Sequence, residues 1–497
     1  MTDTETFNLL DEPWILCMDS ADNRKALSIR DIFSGQGDAH KIVGDSPTQD
    51  YVVIRLLLAI FWRAHAQELA EAAGGRRKRA SFDWGEWFAE MREELCETKR
   101  DQVVLDYLDA FRDRFDLLSD TVPFMQVADL HSQKNETRPI SYIVPEAADD
   151  HFTMRTAEGR RAIPLDEAAR WLLHLQAYDY SGIKTGAVGD PRVKGGRGYP
   201  IGTGWTGRTG GTLVLGTEGL LETLLLNTPM AAVMTEQGTN PIELDEPVWE
   251  REPDTAAQRR GSDDKLGAVP QGAADLATWQ ARRVRLVAEE GQITRVLVSN
   301  GDRIPDAGKN VMGDPMTPYR YSPNQSKAGQ DAYYARPYNS TQTMWRALDA
   351  LVAVEDDPGF DQKKAKAHKR PANLSNLAAL DVDGYLNQGA FDIALVSMEY
   401  GPQESSVATT FSTTIGLPLV VLREDDLGRQ ARNAVRTAAQ KTYETAVSLG
   451  WFEGQLRVAA GDDYEFGVKS KDRFYAQLEP EFIAWMQTIS AENADSA

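Results

Sequence analysis

GYPIGTGWTGRTGGTLVLGTEG, residues 198–219, matches the pattern G-x-G-x-x-G at 202–207 and raises the question of a nucleotide-binding fold. In dinucleotide-binding proteins this pattern follows a buried strand and opens a helix. Here the preceding PRVKGGRGYPIG, residues 191–202, is rich in Pro, Gly and charge, and the following RTGGTLVLG, residues 208–216, reads as a turn and a β-biased run. The sequence therefore predicts no dinucleotide site. It predicts no P-loop either, because no Gly-Lys-Ser/Thr follows.

The glycines around this segment have unusual neighbours. Residues 182–219 contain 13 of the 39 glycines of the chain, so the backbone there can approach another surface closely. Between residues 192 and 208 there is no acidic residue, and Tyr199 and Trp205 are interleaved with cations. A flexible surface loop is one interpretation, and contact with nucleic acid is the other. Under the second, the candidate phosphate contacts are Arg192, Lys194, Arg197 and Arg208.

Bulk composition narrows the class of protein. The 497 residues suit two or three domains, and the formal charge of −21 argues against general attraction to nucleic acid while allowing a local basic surface. The two cysteines, Cys17 and Cys96, predict reduced thiols rather than a disulfide framework. No apolar run is long enough for a membrane span and no signal peptide is visible, so we expect a cytoplasmic protein without a membrane partner.

No motif indicates an enzyme, a metal site or a cofactor. The six histidines are scattered without ligand spacing, and His174, on an apolar helix, is expected to be packed. The acidic pairs fall in predicted turns. The basic run at 361–371 is either a solvated loop or a phosphate-contacting arm. We therefore predict no catalytic residue, no metal and no cofactor.

The N-terminal half mixes short strands with helices. Residues 7–35 are expected to form strands and turns, including ALSIRDIF as a strand. Ser46 and Pro47 open the strongest helix pattern of this half. Further helices are predicted at 84–95, 104–115 and 164–178.

The second half begins with β-structure and ends in helices. Residues 278–303 predict a hairpin around the turn EEGQ, and 300–342 predict loops with short strands. Helical spacing starts at 425 and is expected to stop at Gly450. A second helix is predicted at 471–490, kinked or broken by Pro480. The predicted domain boundary lies near 415–425.

Several short motifs in a fixed order resemble the CasA family, the large subunit of the type I-E CRISPR Cascade surveillance complex. FNLLDEPWI resembles the N-L-x-x-x-x-W-I start of that family. The remaining motifs follow in the family's order: PFMQ at 123–126, GTGWTGRTGGT at 202–212, LLETLLLNTP at 220–229, EPVWERE at 246–252, SNGDR at 299–303 and MEYGPQESS at 398–406. Each motif is short, so their collinearity carries the resemblance.

The resemblance implies a fold. It is α+β, with a large mixed α/β N-terminal domain at 1–415 that bears the reading loops and a C-terminal helical domain at 416–497 of the four-helix-bundle type. Only about two bundle helices are predicted in this chain. Either the last helices are missing from it, or the bundle is smaller. Some relatives carry a cysteine cluster suited to zinc, and this chain has none.

The resemblance also implies a non-catalytic function. Members recognise the protospacer-adjacent motif (PAM) in double-stranded DNA through the minor groove and promote strand opening for R-loop formation. They guide the displaced strand and recruit a separate helicase–nuclease. The implied partners are the other Cascade subunits, the CRISPR RNA, double-stranded target DNA and that helicase–nuclease.

By motif, the PAM-reading glycine loop corresponds to Gly198–Gly202, with Tyr199 within it and Gly204 close by. The reading cation corresponds to Arg303 first and Lys309 second; the family has lysine there, so arginine would be a departure. The wedging glutamine corresponds to Gln403. A loop that touches the CRISPR RNA and backbone subunits should lie within 145–162, and its candidates are His151, Phe152, Arg155, Arg160 and Arg161.

Two other functions stay open at the level of sequence. One is a protein- or RNA-binding scaffold that does not read DNA. The other is a stand-alone hydrolase using a pair of scattered carboxylates. The basic glycine loop and the turn at Pro402–Gln403 distinguish both from a DNA-reading subunit, because changing these residues should abolish DNA targeting only if the chain reads DNA.

Overall fold

The computed structural model confirms the predicted α+β class with a helical C-terminal region. The residues that it describes are 6–72, 82–147, 153–235, 242–259, 268–304, 311–327, 329–335, 337–338, 348–354, 366–386 and 388–494. The α-helices among them are α1 Ile29–Ser34, α2 Pro47–Ala72, α3 Trp84–Thr98, α4 Gln102–Ala110, α5 Leu165–Tyr178, α6 Leu220–Leu226, α7 Ala273–Ala277, α8 Ala372–Val382, α9 Leu419–Leu422, α10 Asp426–Ala459 and α11 Val468–Gln487. The strands are β1 Ile15–Met18, β2 Arg24–Leu27, β3 Lys41–Ile42, β4 Arg138–Pro139, β5 Ile163–Pro164, β6 Lys184–Thr185, β7 Arg197–Gly198, β8 Gly211–Leu215, β9 Arg282–Glu289, β10 Gln292–Asn300, β11 Tyr319–Tyr321, β12 Tyr333–Ala335, β13 Ala390–Tyr400 and β14 Val407–Pro418.

The N-terminal segment forms a small antiparallel sheet in the order β2-β1-β3. The expectation of a strand across ALSIRDIF was wrong after Leu27, because Ser28 and Asp31 form a capping box that starts α1. Ser28 Oγ accepts from the Asp31 amide, and the Asp31 carboxylate accepts from the Ser28 amide. The local hydrogen bonds therefore favour a helix over a continued strand.

Helix α2 is the centre of the core. Ser46 Oγ accepts from the Gln49 amide at 3.2 Å, which confirms the predicted N-terminal cap before Pro47. Its residues 51–66 are all buried, and α4, α5, α7 and β13 pack around it. A helix that is buried on every side explains why the apolar run at its centre is continuous rather than amphipathic.

Two sheets carry the segments that matter for function. One contains the predicted hairpin β9–β10, with β4 and β5 pairing to β10, and the other has the order β14-β13-β8. Strand β8 directly follows the glycine-rich segment, β10 leads into Arg303, and the β13–β14 hairpin carries Gln403 at its tip. The sheets thus bring three distant sequence motifs toward one region.

The C-terminal helices α10 and α11 pack against each other. Asp425 caps α10 by accepting from the Gly428 amide, as its acidic start predicts. The predicted stop at Gly450 was wrong, because the helix continues to Ala459 and the Phe466 ring lies where a Cβ at Gly450 would stand. Gly450 is a packing glycine, and Pro480 lies inside α11 without ending it. The domain division at 415/416 stays a prediction.

Candidate nucleic-acid interface

The glycine-rich segment has no nucleotide-binding topology. The two-residue β7 precedes it, paired antiparallel with β6, and a short 3₁₀ turn at Thr206–Arg208 leads into β8 rather than into an α-helix. Gly202 has φ +96°, a conformation that L side chains rarely adopt. We call residues 198–208 the glycine loop. The prediction that it is not a Rossmann turn is confirmed.

Its glycines serve packing as well as access. A Cβ at Gly204 would lie 2.4 Å from the carbonyl oxygens of Gln176 and Ala177, at the end of α5. A Cβ at Gly198 would lie 2.9 Å from Asn300 Nδ2, which donates to the Tyr199 carbonyl. The loop therefore lies directly on the protein surface beneath it, and side chains at these positions would lift it away.

The two aromatic residues of the glycine loop have different environments. Trp205 is buried, and its indole N–H donates to Asp314 Oδ2 at 2.7 Å. The same carboxylate oxygen accepts from Arg55 of α2 at 2.8 Å. Tyr199, in contrast, is exposed. Trp205 therefore anchors the loop to the core, and only Tyr199 is available to a ligand.

Arg282, at the start of β9, holds the loop from inside the protein. Its buried guanidinium pairs with Asp179 and donates to the carbonyls of Tyr180 and Gly202, the latter at 3.0 Å. Asp179 also pairs with Lys184 Nζ at 2.7 Å. Burial lowers the pKa of Lys184, and the Asp179 carboxylate opposes that shift. Sequence reasoning missed Arg282, because no local pattern distinguishes it from the neighbouring arginines of β9.

The second element is the tip of the β13–β14 hairpin, residues 401–405. Gln403 has φ 58° and ψ 23°, and Glu404 has φ 55°, so two consecutive non-glycine residues occupy the left-handed region. The turn is closed by the Gly401 amide donating to the Ser406 carbonyl. Pro402 and Gln403 are exposed. The Gln403 side chain is therefore presented at the end of a rigid two-stranded projection.

Hairpin tip and glycine loop meet. Arg208 Nη2 lies 3.5 Å from Glu404 Oε2, and the Ser181 amide donates to the Glu404 carbonyl at 2.7 Å. Tyr400 donates to the Tyr178 carbonyl at 2.8 Å, just below the tip. The structure thus brings Gln403 beside the loop, although 195 or more residues separate them in sequence.

Arg303 joins the same region. It is exposed, and with Ile304 it lines a shallow cleft whose other walls include Ile201, Thr203 and Arg208. Its neighbour Asp302 is buried. Burial alone would raise the pKa of Asp302, but the charges of Arg283 and Arg259 lower it below its usual value. The adjacent acid is therefore neutralised by internal partners. Lys309, the alternative reading cation, lies outside the described residues.

The predicted phosphate contacts divide into two groups. Arg192 is occupied internally: it pairs with Asp190 and donates to Gln258 and to the carbonyls of Asn300 and Gly301. Lys194 and Arg197 are exposed on either side of a tight Gly195–Gly196 turn in which both glycines have positive φ. Arg208 is half-buried and faces Glu404. Lys194 and Arg197 are thus open to solvent, whereas Arg192 and Arg208 have partners within the protein, and all four stay predicted phosphate contacts.

The predicted RNA-contact loop is described only in part. His151 and Phe152 lie outside the described residues. Arg155 pairs with Glu167 and lies 3.4 Å from Glu146 Oε2, so its charge is compensated internally. Arg160 is half-buried, and Arg161 and Met154 are exposed.

Buried histidines have structural environments. His174 is packed as predicted, with Nε2 3.1 Å from Thr48 Oγ1, and burial lowers its pKa to about 4. His65 lies between Asp101 and Glu68; burial opposes its charge, but these two carboxylates raise its pKa to about 9. Among the described residues, no group of three or more His, Cys, Asp or Glu side chains is arranged to hold a metal ion. Within the same ranges, no helix is both long and apolar enough to cross a membrane.

Comparison with known proteins identifies the family. The model of the CRISPR-associated protein Cse1 family matches residues 8–497. The chain belongs to the Cse1 family. The predicted resemblance to the CasA family is thereby confirmed, because CasA and Cse1 name the same protein in a relative of this chain.

Individual relatives support this family assignment. The CasA/Cse1 protein of Thermus thermophilus is 30% identical over 299 residues, which cover 58% of this chain and half of that relative's length. The crystal structure of Thermobifida fusca Cse1 is 35% identical, with a TM-score of 0.83 over 99% of this chain and 89% of that one. A chain of a CRISPR RNA-guided surveillance complex, 20% identical with a TM-score of 0.63 over 99% of this chain and 89% of its own, shares the fold.

Proposed function

We propose that this chain is the non-catalytic large subunit of a type I-E Cascade surveillance complex and that it recognises the PAM in double-stranded DNA. The proposal places the reading surface at the glycine loop, Arg303 and Gln403. The observation that carries it is the convergence of the loop and the hairpin tip through the Arg208–Glu404 and Ser181–Glu404 contacts. Membership of the Cse1 family supports the same function.

The geometry suits a minor-groove reader. A narrow groove excludes bulky side chains, and the loop offers the partly accessible Gly202 next to the exposed Tyr199 and Pro200. Gly198 and Gly204 are buried and serve the packing of the loop. Arg303 and Arg208 line one cleft beside this backbone and would supply positive charge to the phosphates and base edges. Because the minor-groove code is degenerate, such a reader should tolerate several PAM sequences and depend partly on DNA shape.

Gln403 would act as a wedge. Inserting a side chain between base steps costs a few kcal/mol of unstacking, which PAM contacts and guide pairing must offset. A projection anchored at Tyr400 and Glu404 can resist the duplex better than a free loop could. Opening at this point would let the CRISPR RNA begin pairing with the target strand.

The remaining assignments belong to the same proposal. The subunit would contact the CRISPR RNA and the other Cascade subunits, with residues 145–162 as one contact, and would recruit the separate helicase–nuclease. It would act in the cytoplasm and contribute no catalytic group. The division at 415/416 would separate the DNA-reading part from the helical part.

The test is target binding by the reconstituted complex at fixed salt, with PAM-bearing duplex and with a pre-opened bubble of the same sequence. We expect Gln403→Ala and Gly202→Asp to weaken duplex binding about tenfold or more and to recover on the bubble. Gly461→Asp is the control for the backbone conformation, because Gly461 has φ +93°, close to that of Gly202, and lies outside the proposed surface. A side chain at Gly202 would in addition displace the Arg208 guanidinium, whereas the space at Gly461 is open.

Each result separates the alternatives. Unchanged duplex binding by both variants would contradict the residue assignments and favour a scaffold that does not read DNA. Equal losses for Gly461→Asp would point to a general folding defect. If leaving out the whole subunit changed nothing, its role in targeting would be refuted.

A further inference from the structure

Two exposed tyrosines, Tyr180 next to the hairpin-tip contact at Ser181 and Tyr142 on a neighbouring segment, each have a cation against one face of the ring. Lys184 Nζ lies 4.1 Å from the centre of the Tyr180 ring, and Arg138 Cζ lies 5.6 Å from that of Tyr142. Tyr180 is 39% exposed and Tyr142 is 45% exposed. Each ring therefore keeps much of its surface open to solvent while a cation covers one side.

Tyr180 is held rigidly. The cation on its ring, Lys184, is buried and fixed by Asp179 at 2.7 Å. The Tyr180 carbonyl accepts from Arg282, which also pairs with Asp179, so the backbone of Tyr180 is fixed by this buried cluster. An aromatic ring that is already ordered loses little conformational entropy when a flat ligand stacks on it.

Tyr180 lies next to the residue that contacts the hairpin tip, and the turn that bears Tyr142 packs on the same strand, β10, as the strand that follows Tyr180. Ser181, next to Tyr180, donates its amide proton to the Glu404 carbonyl, one residue beyond Gln403. Burial raises the pKa of Tyr180, and Asp179 and then Tyr142 add to that shift. Strand β6 and the 3₁₀ turn that bears Tyr142 both contact β10.

We propose that Tyr180 and Tyr142 form a stacking surface for bases of single-stranded DNA leaving the hairpin tip. The inference rests on the proposed function, since it needs a duplex opened at Gln403. Exposed aromatic rings combined with nearby cations bind single strands with little sequence preference, because every base has a flat face. Lys194 and Arg197 lie on the hairpin whose first strand, β6, carries Lys184, the cation on the Tyr180 ring, and they would contact the phosphates.

The experiment uses the reconstituted complex and a PAM-bearing target with 2-aminopurine in the displaced strand next to the PAM. Its fluorescence rises when the base leaves the duplex and falls when it stacks on a ring. We expect quenching with the wild type and with Tyr180→Phe and Tyr142→Phe, which keep the rings. Tyr180→Ala and Tyr142→Ala should lose the quenching and bind a pre-opened bubble about five- to tenfold more weakly. Tyr443→Ala, at an exposed tyrosine of α10, is the control.

A second target, which lacks the displaced strand beyond the PAM, makes the result specific. All variants should bind it equally. Equal losses on both targets would overturn the proposal, because the rings would then act on the duplex or on folding. It would also be overturned if the probe responded only when placed in the CRISPR RNA.

The two hypotheses fail in different ways. If Gln403→Ala and Gly202→Asp abolish opening while the tyrosine variants match the wild type, only the stacking surface is wrong. If neither set of variants changes anything, the proposed function fails with it.

Discussion

The glycine loop and the hairpin tip touch each other, yet they are held in opposite ways. The loop is fixed from beneath by buried groups: Arg282 binds its carbonyl at Gly202, and Trp205 binds Asp314. The tip is exposed, is closed by its own backbone, and carries two residues in the left-handed region. The comparison indicates that a glycine-rich recognition loop can be kept rigid by buried side chains beneath it. A wedge, in contrast, needs only a stiff backbone turn and one exposed side chain.

The largest effect should come from the group that makes the loop rigid. Arg282→Met removes the donor to four carbonyls and one partner of the buried Asp179. Breaking a buried pair typically costs about 3–5 kcal/mol of unfolding free energy. Lys184 still compensates Asp179, so we expect the lower end, about 3 kcal/mol. Urea denaturation of the purified chain measures it.

Arg285→Met is the matched control, because Arg285 is exposed on the same strand. Its cost should stay within about 0.5 kcal/mol, as for most surface substitutions. Equal and small effects for both variants would show that the loop does not depend on the buried arginine, and the contrast with the tip would disappear.

A smaller effect should separate two glycines of the same region. In Gly204→Ala the new methyl group would meet two backbone carbonyl oxygens at 2.4 Å, which cannot move aside without shifting the end of α5. We expect a loss of about 2–3 kcal/mol in unfolding free energy, as for overpacking. Gly195 has φ +59° with nothing within 4 Å of the new atom, so Gly195→Ala should cost only about 1 kcal/mol for the left-handed conformation.

Thermal unfolding of both variants measures the difference. The reverse order, with Gly195→Ala the more damaging, would mean that the loop is loosely placed on α5. The glycine loop would then be held no more firmly from beneath than the hairpin tip is, despite its buried contacts.

The same difference between local and long-range contacts decides which features the sequence predicts well. Local signals sufficed where neighbours in the chain decide the outcome: Ser46 and Pro47 start α2, and the turn at 289–292 closes the β9–β10 hairpin. The glycine loop and the tip were found through the order of motifs. Their meeting through Arg208 and Glu404 depends on the sheets that carry them, which no short window contains.

The failures have physical causes. Gly450 was read as a helix stop, but its missing side chain accommodates the Phe466 ring from further along the chain. Arg282 was missed because a buried arginine is defined by the distant carbonyls it binds. Arg192 is a different case: its contact with phosphate stays a prediction, and its partner in the structure is Asp190, two residues earlier in the sequence.

The smallest effect concerns the ion pair that joins the two regions. Glu404→Gln removes the carboxylate 3.5 Å from Arg208 Nη2, and since both side chains are partly exposed, the free energy of unfolding should change by less than about 0.5 kcal/mol. Arg208 would become available to a phosphate. We therefore expect tighter binding of PAM-bearing duplex by the reconstituted complex, with the slope of log K against log salt steeper by up to about one unit.

Fluorescence anisotropy between about 50 and 200 mM salt measures this slope. The control is Glu218→Gln, which removes another exposed carboxylate, 3.7 Å from Lys99 Nζ and outside the proposed reading surface. A steeper slope for Glu404→Gln alone would mean that the tip restrains a cation of the glycine loop until DNA displaces it. Identical slopes for the two variants would mean that Arg208 contacts no phosphate, and that the Arg208–Glu404 pair only joins the two regions structurally.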